Sequence, residues 1–328
     1  MKKIILINII VLIFILIFLE LIANFFKISN LMGIEPGLIG NYKNNIHRMI
    51  PNSSGIHFGQ KIFIDSNGYR VPYKDYEYND SNNSVSIIGD STAFGNGVRE
   101  ENTFVGRLRK DLINWNFYNT SVPGYQIRHF KENLETIDNI NNIKKVFYFI
   151  TLNDVFDSSN IVDLSKKKKN IVTETQNKKV DFLKNIKIIN ELNAFLRSKS
   201  YLYMYAKGIT TDPSKRYFKN ILIHYGKNDL EEMIAFLNQL REKTVKKNIK
   251  LKIFILPYEF QTRNCNERNL LPQNKLNKIL LDLKIDFVDY TLNFCNYKNP
   301  KSLFYKFDPM HLSKKGHSFV FNLVKNEM

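Results

Sequence analysis

The sequence predicts an α/β fold built on a parallel sheet. Short apolar segments alternate with segments of helical periodicity, which is the pattern of βαβ units. The apolar segments are continuously hydrophobic, as expected of strands that helices cover on both faces. The five predicted strands are 85–88, 116–122, 146–152, 251–256 and 285–289. The predicted helices are 101–114, 127–140, 181–206, 228–247, 276–283 and 312–324.

Length and charge limit the classes of function. The chain has 328 residues, enough for an N-terminal anchor and one sizeable α/β domain. Its 48 Lys and Arg exceed its 31 Asp and Glu, giving a net charge of +17. The lysines are scattered, and no zinc-finger, RNP-like or basic heptad pattern accompanies them, so we expect no nucleic-acid partner. Anionic lipid or acidic polysaccharide remains an open partner for this surface.

The N-terminus is predicted to be a membrane anchor, residues 1–27. Residues 4–26 form an almost wholly apolar run, with Glu20 near its outer end. The run is long enough to cross the ~30 Å hydrocarbon core as a helix. Lys2 and Lys3 precede it, which favours a cytoplasmic N-terminus and a catalytic domain on the periplasmic or cell-surface side. A cleaved signal peptide is the alternative.

The rest of the chain divides into a linker and a catalytic domain. Residues 28–83 are rich in Asn, Gly, Ser and Tyr and predict a linker segment with one short strand at 61–64. Residues 84–328 are the predicted catalytic domain. Within it, residues 158–250 carry a lysine run at 166–169 and interrupt the βαβ pattern. We predict that they form a helical insertion on the rim of the sheet, a lid or a membrane-facing surface.

The first candidate block is Gly89-Asp90-Ser91, directly after the first predicted strand. A serine at such a turn exposes its hydroxyl at the carboxyl edge of the sheet, where open α/β sheets bind ligands. The helix that follows points its N–H groups toward developing negative charge. Ala93 stands where the nucleophile elbow of α/β-hydrolases needs Gly. Alone, the three residues fit a helix N-cap equally well.

The second block is Asp308-Pro309-Met310-His311, just before the last helix. A serine hydroxyl needs an adjacent base at neutral pH, and a His serves best when a carboxylate holds its other ring nitrogen. Asp308 is three residues from His311, a tether short enough for that contact. His317 has no acid three residues before it and is predicted to lie on the helix surface.

The third block, Thr151-Leu152-Asn153-Asp154, ends the third strand, and Gly124 follows the second. Acyl transfer develops an oxyanion that needs fixed hydrogen-bond donors. The Asn153 side chain and the backbone amides of Gly124 and Ser91 are the candidate donors. Because all these blocks follow parallel strands, they fall at one edge of the sheet and can converge.

In these blocks the chain resembles the SGNH/GDSL hydrolase family over roughly 84–325, apart from 158–250. The family has a Gly-Asp-Ser block, a lone Gly, an Asn-Asp block and an Asp-x-x-His block in this order. The resemblance implies a flavodoxin-like three-layer α/β/α fold with a five-stranded parallel sheet. The family usually has Gly two residues before the Asn; Thr151 stands there in this chain, which puts the local loop geometry in question.

The resemblance also implies residue roles. Ser91 is the expected nucleophile, with His311 and Asp308 completing a triad, and Ser91, Gly124 and Asn153 form the expected oxyanion hole. No cofactor and no metal are expected.

The predicted function is a serine ester hydrolase acting outside the cytoplasm on an acyl ester, such as O-acetyl groups of envelope glycans or lipids. An O-acyltransferase of envelope polysaccharide with the same triad is the alternative. A non-catalytic anchored interaction protein is less favoured, because the site residues are intact. A metal-dependent phosphoesterase needs clustered His ligands, and the six histidines show no HxH or HxxH pattern.

Two further features stay open in the sequence. Cys265 and Cys295 follow the fourth and fifth predicted strands, which should be neighbours, so they can pair in an oxidising compartment or remain two buried thiols. Tyr258 and Phe260 lie at the active edge and line the substrate pocket or pack into the core.

Overall fold

The computed structural model describes residues 2–41, 46–155, 187–226 and 230–328. The strands are β1 (Ile39–Asn41), β2 (His47–Met49), β3 (Ser54–His57), β4 (Gln60–Ile64), β5 (Arg70–Val71), β6 (Asn83–Gly89), β7 (Trp115–Asn119), β8 (Ile143–Ile150), β9 (Lys250–Ile255) and β10 (Phe287–Asp289). The helices are α1 (Lys2–Phe26), α2 (Ser91–Phe94), α3 (Phe104–Asp111), α4 (Ile127–Asn133), α5 (Lys187–Lys199), α6 (Tyr201–Thr211), α7 (Pro213–Gly226), α8 (Glu231–Lys246), α9 (Glu259–Arg263), α10 (Glu267–Asp282), α11 (Thr291–Cys295) and α12 (Lys314–Val324).

The main sheet has the strand order β10-β9-β8-β6-β7-β5-β4-β3. The strands from β10 to β7 are parallel, while β5, β4 and β3 continue the sheet in antiparallel pairs. The parallel part contains the five predicted strands in flavodoxin-like order, so this prediction is confirmed. The sheet is wider than predicted, because three antiparallel strands extend it. The carboxyl ends of β6, β7, β8, β9 and β10 lie along one edge.

Two apolar cores cover the two faces of the sheet. Successive strand residues alternate between them, as the pleat requires: Ile88 and Tyr148 face one core, Ile87 and Phe147 the other. The first core is closed by helical residues that include Phe130, Phe218, Phe236 and Leu276. The second is closed by helical residues that include Phe104, Leu108, Phe294 and Val320. This arrangement is the expected three-layer α/β/α sandwich.

The segment before the predicted catalytic domain is more structured than expected. Residues 28–83 were expected to be a linker with one strand at 61–64, but the described part of this segment has five strands. β3, β4 and β5 join the main sheet, while β1 and β2 pair with each other. The β3–β4 turn consists of Phe58 and Gly59, both with positive φ (50° and 74°), the conformation that two-residue hairpins use. A Phe at the first position carries no turn signal, which is why the hairpin was missed.

The predicted insertion also needs correction. The helical stretch predicted at 181–206 is two helices, α5 and α6, separated at Ser200, whose hydroxyl accepts from the Tyr203 N–H at the start of α6. α8 is not on the rim: it belongs to the crossover from β8 to β9, with Phe236, Leu237 and Leu240 buried in the first core. The lysine run and the rest of 156–186 lie outside the described residues.

Helix starts differ from the prediction where polar caps set them. α3 begins at Phe104, because the Thr103 hydroxyl accepts from the Gly106 N–H. α10 begins at Glu267 rather than 276, because the Asn266 side chain caps it. Its first turns are polar and contain Pro272, so they lack the apolar periodicity that revealed the second half.

His317 was predicted to lie on the surface of the last helix, and this prediction is wrong. Its side chain is buried, and its Nδ1 accepts a hydrogen bond from the Phe104 N–H at 3.2 Å. Burial, followed by the positive charges of Arg70 and Arg107, lowers the pKa of His317 to about 3. His317 therefore joins α12 to α3 as a neutral side chain.

α1 is long and apolar enough to cross a membrane. The most hydrophobic part of Lys3–Phe26 is not buried against the rest of the protein. A buried core helix is therefore excluded for α1, while a membrane anchor and a signal sequence both fit it.

A disulfide joins Cys265 to Cys295, with 6.1 Å between their Cα atoms. β9 and β10 are adjacent parallel strands, so the loops after them come together as the sequence suggested. Of the two alternatives, the structure has the bonded one. The bond ties the loop between α9 and α10 to the end of α11.

Replacing both cysteines by serine should lower the free energy of unfolding by about 3 to 4 kcal/mol, as chain-entropy arguments give for a loop of this length, the two residues being 30 positions apart. Urea unfolding of the wild type and the double variant, both without reductant, measures this difference. A reductant should destabilise the wild type alone. Equal midpoints, or free thiols in the denatured wild type, would contradict the bond.

Candidate active site

Ser91 lies at the carboxyl end of β6, where the chain turns into α2. Gly89 ends the strand at a point where a Cβ would lie 2.5 Å from the Ala93 Cβ and 3.1 Å from the Phe149 carbonyl oxygen, so only glycine fits. The Asp90 carboxylate caps α2 by accepting from the Thr92 N–H at 2.8 Å. Ser91 is thereby fixed as the first residue of the helix.

Asp308 and His311 form a compact turn before α12. One carboxylate oxygen of Asp308 accepts from the backbone N–H groups of Met310 and His311, at 2.9 and 2.8 Å. The other lies 2.8 Å from the His311 Nδ1. Because a carboxylate only accepts, Nδ1 carries the proton and Nε2 is left with a free lone pair.

The structure brings the first and second blocks together. The His311 Nε2 lies 2.8 Å from the Ser91 Oγ, across 220 residues of chain. Only 7% of Ser91 and 8% of His311 are exposed, and Asp308 is buried. A hydroxyl, an imidazole and a carboxylate thus form one hydrogen-bonded row, the order that nucleophilic acyl transfer needs.

The environment favours the charged form of both titrating groups. Burial alone lowers the pKa of His311, but the charge and hydrogen bond of Asp308, with the charge of Asp90, outweigh it and raise the pKa above 6.5. Burial alone would raise the pKa of Asp308, but His311 and the two backbone N–H groups hold it below its usual value. Asp308 therefore stays ionised and stabilises an imidazolium.

The backbone amides of Ser91 and Gly124 are the two predicted backbone donors of the oxyanion hole. Among the described residues, no carbonyl accepts from the N–H of Ser91 or of Gly124. Gly124 has φ +80°, a conformation that favours glycine. The Val122 N–H donates to the Gly89 carbonyl at 3.2 Å, which holds the loop of Gly124 beside the end of β6.

Asn153 is oriented by three hydrogen bonds. Its Oδ1 accepts from the Tyr258 hydroxyl at 2.7 Å and the Thr151 hydroxyl at 3.0 Å. Its Nδ2 donates to the Asp90 carboxylate at 3.1 Å, leaving the second N–H for another acceptor. Thr151, the departure from the family pattern, therefore supports the loop, since its backbone N–H also donates to the Asp154 carboxyl group at 3.0 Å.

Tyr258 does not line a pocket. It is fully buried, and its hydroxyl holds Asn153, so it acts on the site through that amide. Phe260 is partly buried and stacks on Phe218, with 5.5 Å between ring centroids. Of the two alternatives for this loop, packing fits better than substrate contact.

Asn96 and Phe58, which the sequence did not single out, lie close to His311. Asn96 Nδ2 lies 3.4 Å from the His311 Nε2, and Asn96 Oδ1 lies 2.7 Å from the His57 Nε2. Burial lowers the pKa of His57 to about 4, so this histidine is neutral. The ring of Phe58 packs edge-on against that of His311, with 5.5 Å between centroids. His57 and Phe58 belong to the supposed linker, where no catalytic block drew attention to them.

A cavity of about 680 Å³ lies beside the loop that precedes Asp308. Glu259, Arg263 and residues of α6 and α7 line it, but Ser91 and His311 do not, so it is separate from the reacting groups. On its α6 side the helix touches this loop: a Cβ at Gly208 would lie 2.2 Å from the Phe307 ring.

If Asn153 is the oxyanion donor that the sequence predicts, replacing it by alanine should lower kcat for ester hydrolysis by about 10²- to 10³-fold with little change in KM. Steady-state kinetics on an activated acetate ester measures it. Tyr258→Phe is the matched control: it removes only the hydroxyl that orients the amide, so the loss should be smaller. An unchanged kcat in Asn153→Ala would contradict this role.

Comparisons with known proteins give likenesses among solved structures only; no protein-family profile and no curated protein matches. A lipolytic protein of the G-D-S-L family from Desulfitobacterium hafniense is 11% identical, over 75% of this chain and all of that one, with a TM-score of 0.42. An acetyl xylan esterase from Geobacillus stearothermophilus is 18% identical, over 75% and 94% of the chains, with a TM-score of 0.43. A lipase/acylhydrolase from Enterococcus faecalis is 11% identical, over 75% and 96%, with a TM-score of 0.40. In its four sequence blocks, the chain resembles the SGNH/GDSL hydrolases.

Proposed function

We propose that the chain is a serine ester hydrolase whose nucleophile is Ser91. One observation carries the proposal: the row from the Ser91 Oγ through His311 to Asp308, with 2.8 Å at each step. Each member of the row has the partner that acyl transfer needs. Among the residues that the structure describes, the Asp308 carboxylate pairs with no side chain other than His311.

The proposed reaction has two halves. The Ser91 Oγ attacks the ester carbonyl while His311 Nε2 takes its proton, and the imidazolium then protonates the departing alcohol. This leaves an acyl-Ser91 ester. Water attacks it with His311 again as base, releasing the acid and restoring the hydroxyl.

The proposed oxyanion hole uses the amides of Ser91 and Gly124 and the second N–H of Asn153. Two observations support it: neither amide has a carbonyl partner among the described residues, and the carboxamide is held in place by Tyr258 and Thr151. Donors that are fixed before reaction stabilise the transition state without reorganising.

The burial of the row supports a small acyl group. Ser91 and His311 are each less than a tenth exposed, and the ring of Phe58 lies against His311. A long acyl chain has little room beside such a hydroxyl. O-acetyl groups on envelope glycans or lipids are therefore the substrates that we propose.

We also propose that α1 anchors the enzyme with its catalytic domain outside the cytoplasm. Lys2 and Lys3 before the span support this orientation. The Cys265–Cys295 bond supports it independently, since disulfides persist in oxidising compartments.

The test uses the full-length protein in lipid nanodiscs with p-nitrophenyl esters of acetate, butyrate and octanoate. We expect kcat/KM to fall by about tenfold or more from acetate to octanoate, because pockets discriminate by the space that each methylene needs. Absence of hydrolysis, or hydrolysis that Ser91→Ala retains, would exclude the proposed function. Transfer of acetyl to an added glycan in preference to water would replace it by an O-acyltransferase with the same residues.

A further inference from the structure

Helix α5 carries an apolar stripe that the described residues of the chain leave uncovered. Ile188, Ile189, Leu192 and Phe195 recur at the spacing of one helix face, and we call them the α5 stripe. Leu192 is 54% exposed and Phe195 is 60% exposed. Adjacent exposed apolar side chains of this size mark an interaction surface rather than ordinary solvent contact.

The other side of α5 faces the protein. The Asn193 Oδ1 accepts from the Tyr203 hydroxyl at 2.7 Å and from the Lys207 ammonium at 3.0 Å, both on α6. The Arg197 carbonyl accepts from the Met32 N–H at 2.8 Å. These contacts fix the rotation of the helix about its axis, so the α5 stripe points away from the folded body.

The corner between α5 and α6 is fastened to the outer end of α1. The Glu20 carboxylate accepts from the Ser200 hydroxyl at 2.6 Å and from the N–H groups of Tyr201 and Leu202 at 2.7 and 3.1 Å. A carboxylate at a helix N-terminus is favoured by the helix dipole. The Lys27 ammonium lies over the Tyr201 ring, 4.5 Å from its centroid. The hydrogen bonds of Glu20 explain why the apolar run contains one carboxylate.

The α5 stripe is therefore close to the membrane span. Phe195 precedes the corner at Ser200 by five residues and Ile188 by twelve, so helical rise keeps the stripe within about 20 Å of α1. Lys199, beside the corner, adds positive charge where anionic head groups lie.

We propose that α5 lies in the interfacial layer of the bilayer that α1 crosses, with the α5 stripe among the acyl chains. The inference rests on the proposed anchoring role of α1 and is independent of the chemistry at Ser91. Such helices place their apolar face at the head-group and acyl boundary and their polar face toward water or protein. A bilayer fits better than a protein partner, because the corner at Ser200 joins α5 to the helix that we propose the bilayer surrounds.

Site-specific fluorescence tests the proposal in the full-length protein. The native cysteines are bonded to each other, so an introduced cysteine is the thiol that an environment-sensitive dye labels without reductant. Leu192→Cys and Phe195→Cys report on the α5 stripe. Leu281→Cys and Val245→Cys are matched controls, since these side chains are 66% and 72% exposed on helices that cover the sheet. Leu12→Cys reports on the span.

The labelled proteins are reconstituted in phosphatidylcholine–phosphatidylglycerol vesicles with or without brominated acyl chains. We expect bromine to quench the dye at 192 and 195 about twofold or more, as for the dye at 12, and to leave the controls unchanged. Quenching at 12 without quenching at 192 and 195 overturns this inference alone, and a blue-shifted but unquenched dye there points to a protein partner instead. No quenching at 12 overturns the anchor and this inference together. Neither result bears on the esterase proposal, which the activity of the same vesicles tests.

Discussion

Replacing Ser91 by alanine should reduce the hydrolysis of p-nitrophenyl acetate by about 10⁴-fold or more, since loss of the nucleophile leaves only the oxyanion donors. The His311 imidazole, 2.8 Å from the missing hydroxyl, would then have no oxygen to activate. Single-turnover kinetics should show no acyl-enzyme, whereas the wild type should release nitrophenol in a burst if deacylation is the slower half. Mass spectrometry of the trapped wild type should place the acyl group on Ser91.

Ser84→Ala is the matched control for this experiment. Ser84 is also buried and lies on the same strand, β6, but outside the row of reacting groups. Its rate should stay close to that of the wild type. Equal losses in the two variants would indicate damage to the strand, and a Ser91→Ala enzyme with full activity would exclude the mechanism.

Replacing Asp308 by asparagine should lower kcat/KM by about 10⁴-fold, as in other enzymes that use a hydroxyl, an imidazole and a carboxylate. The asparagine NH₂ would face Nδ1 and force that nitrogen to accept. The proton would then sit on Nε2, the nitrogen that must take the proton of Ser91. The variant keeps the shape of the turn, so circular dichroism should be unchanged.

His311 and Asp308 also determine the pH dependence of kcat/KM. His311 works as a base only when neutral, so kcat/KM should fall as the pH drops through its pKa, which the Asp308 carboxylate raises above 6.5. In Asp308→Asn the charge is gone, so the acidic limb should move to lower pH while the plateau falls. A limb that stays in place would show that another group controls it.

The sequence predicts the structure well where a single local pattern determines it. The parallel strands are continuously apolar, and their ends carry the polar blocks, so their order and common edge could be predicted. The positions of Ser91, His311 and Asp308 follow from that edge, and their catalytic roles stay predictions until the variants are measured. Phe58 and His57 were not predicted, because only the β3–β4 hairpin brings the Phe58 ring to His311 and His57 to Asn96. Asn96 follows α2, and no local pattern marks its contact with His311.

Other features depend on tertiary partners that local patterns do not reveal. His317 looks like a surface residue in its own helix, yet it is buried because α3 offers the Phe104 N–H to its ring. α8 looks like part of an insertion, yet its apolar face covers the sheet. In each case the deciding contact is made with a residue far away in the chain.

Helix α6 sets the distance between the outer end of α1 and the loop that carries Asp308. Its first turn is held by Glu20 of α1, and Gly208 near its last turn packs on Phe307, the neighbour of Asp308. Seven residues of helix, about 10 Å, separate these two attachment points. If α1 lies in a bilayer as we propose, the site beside Asp308 stays close to the lipid surface. The proposed esterase would then act on acyl groups of lipid-linked or membrane-proximal glycan in preference to those of distant, freely diffusing polymer.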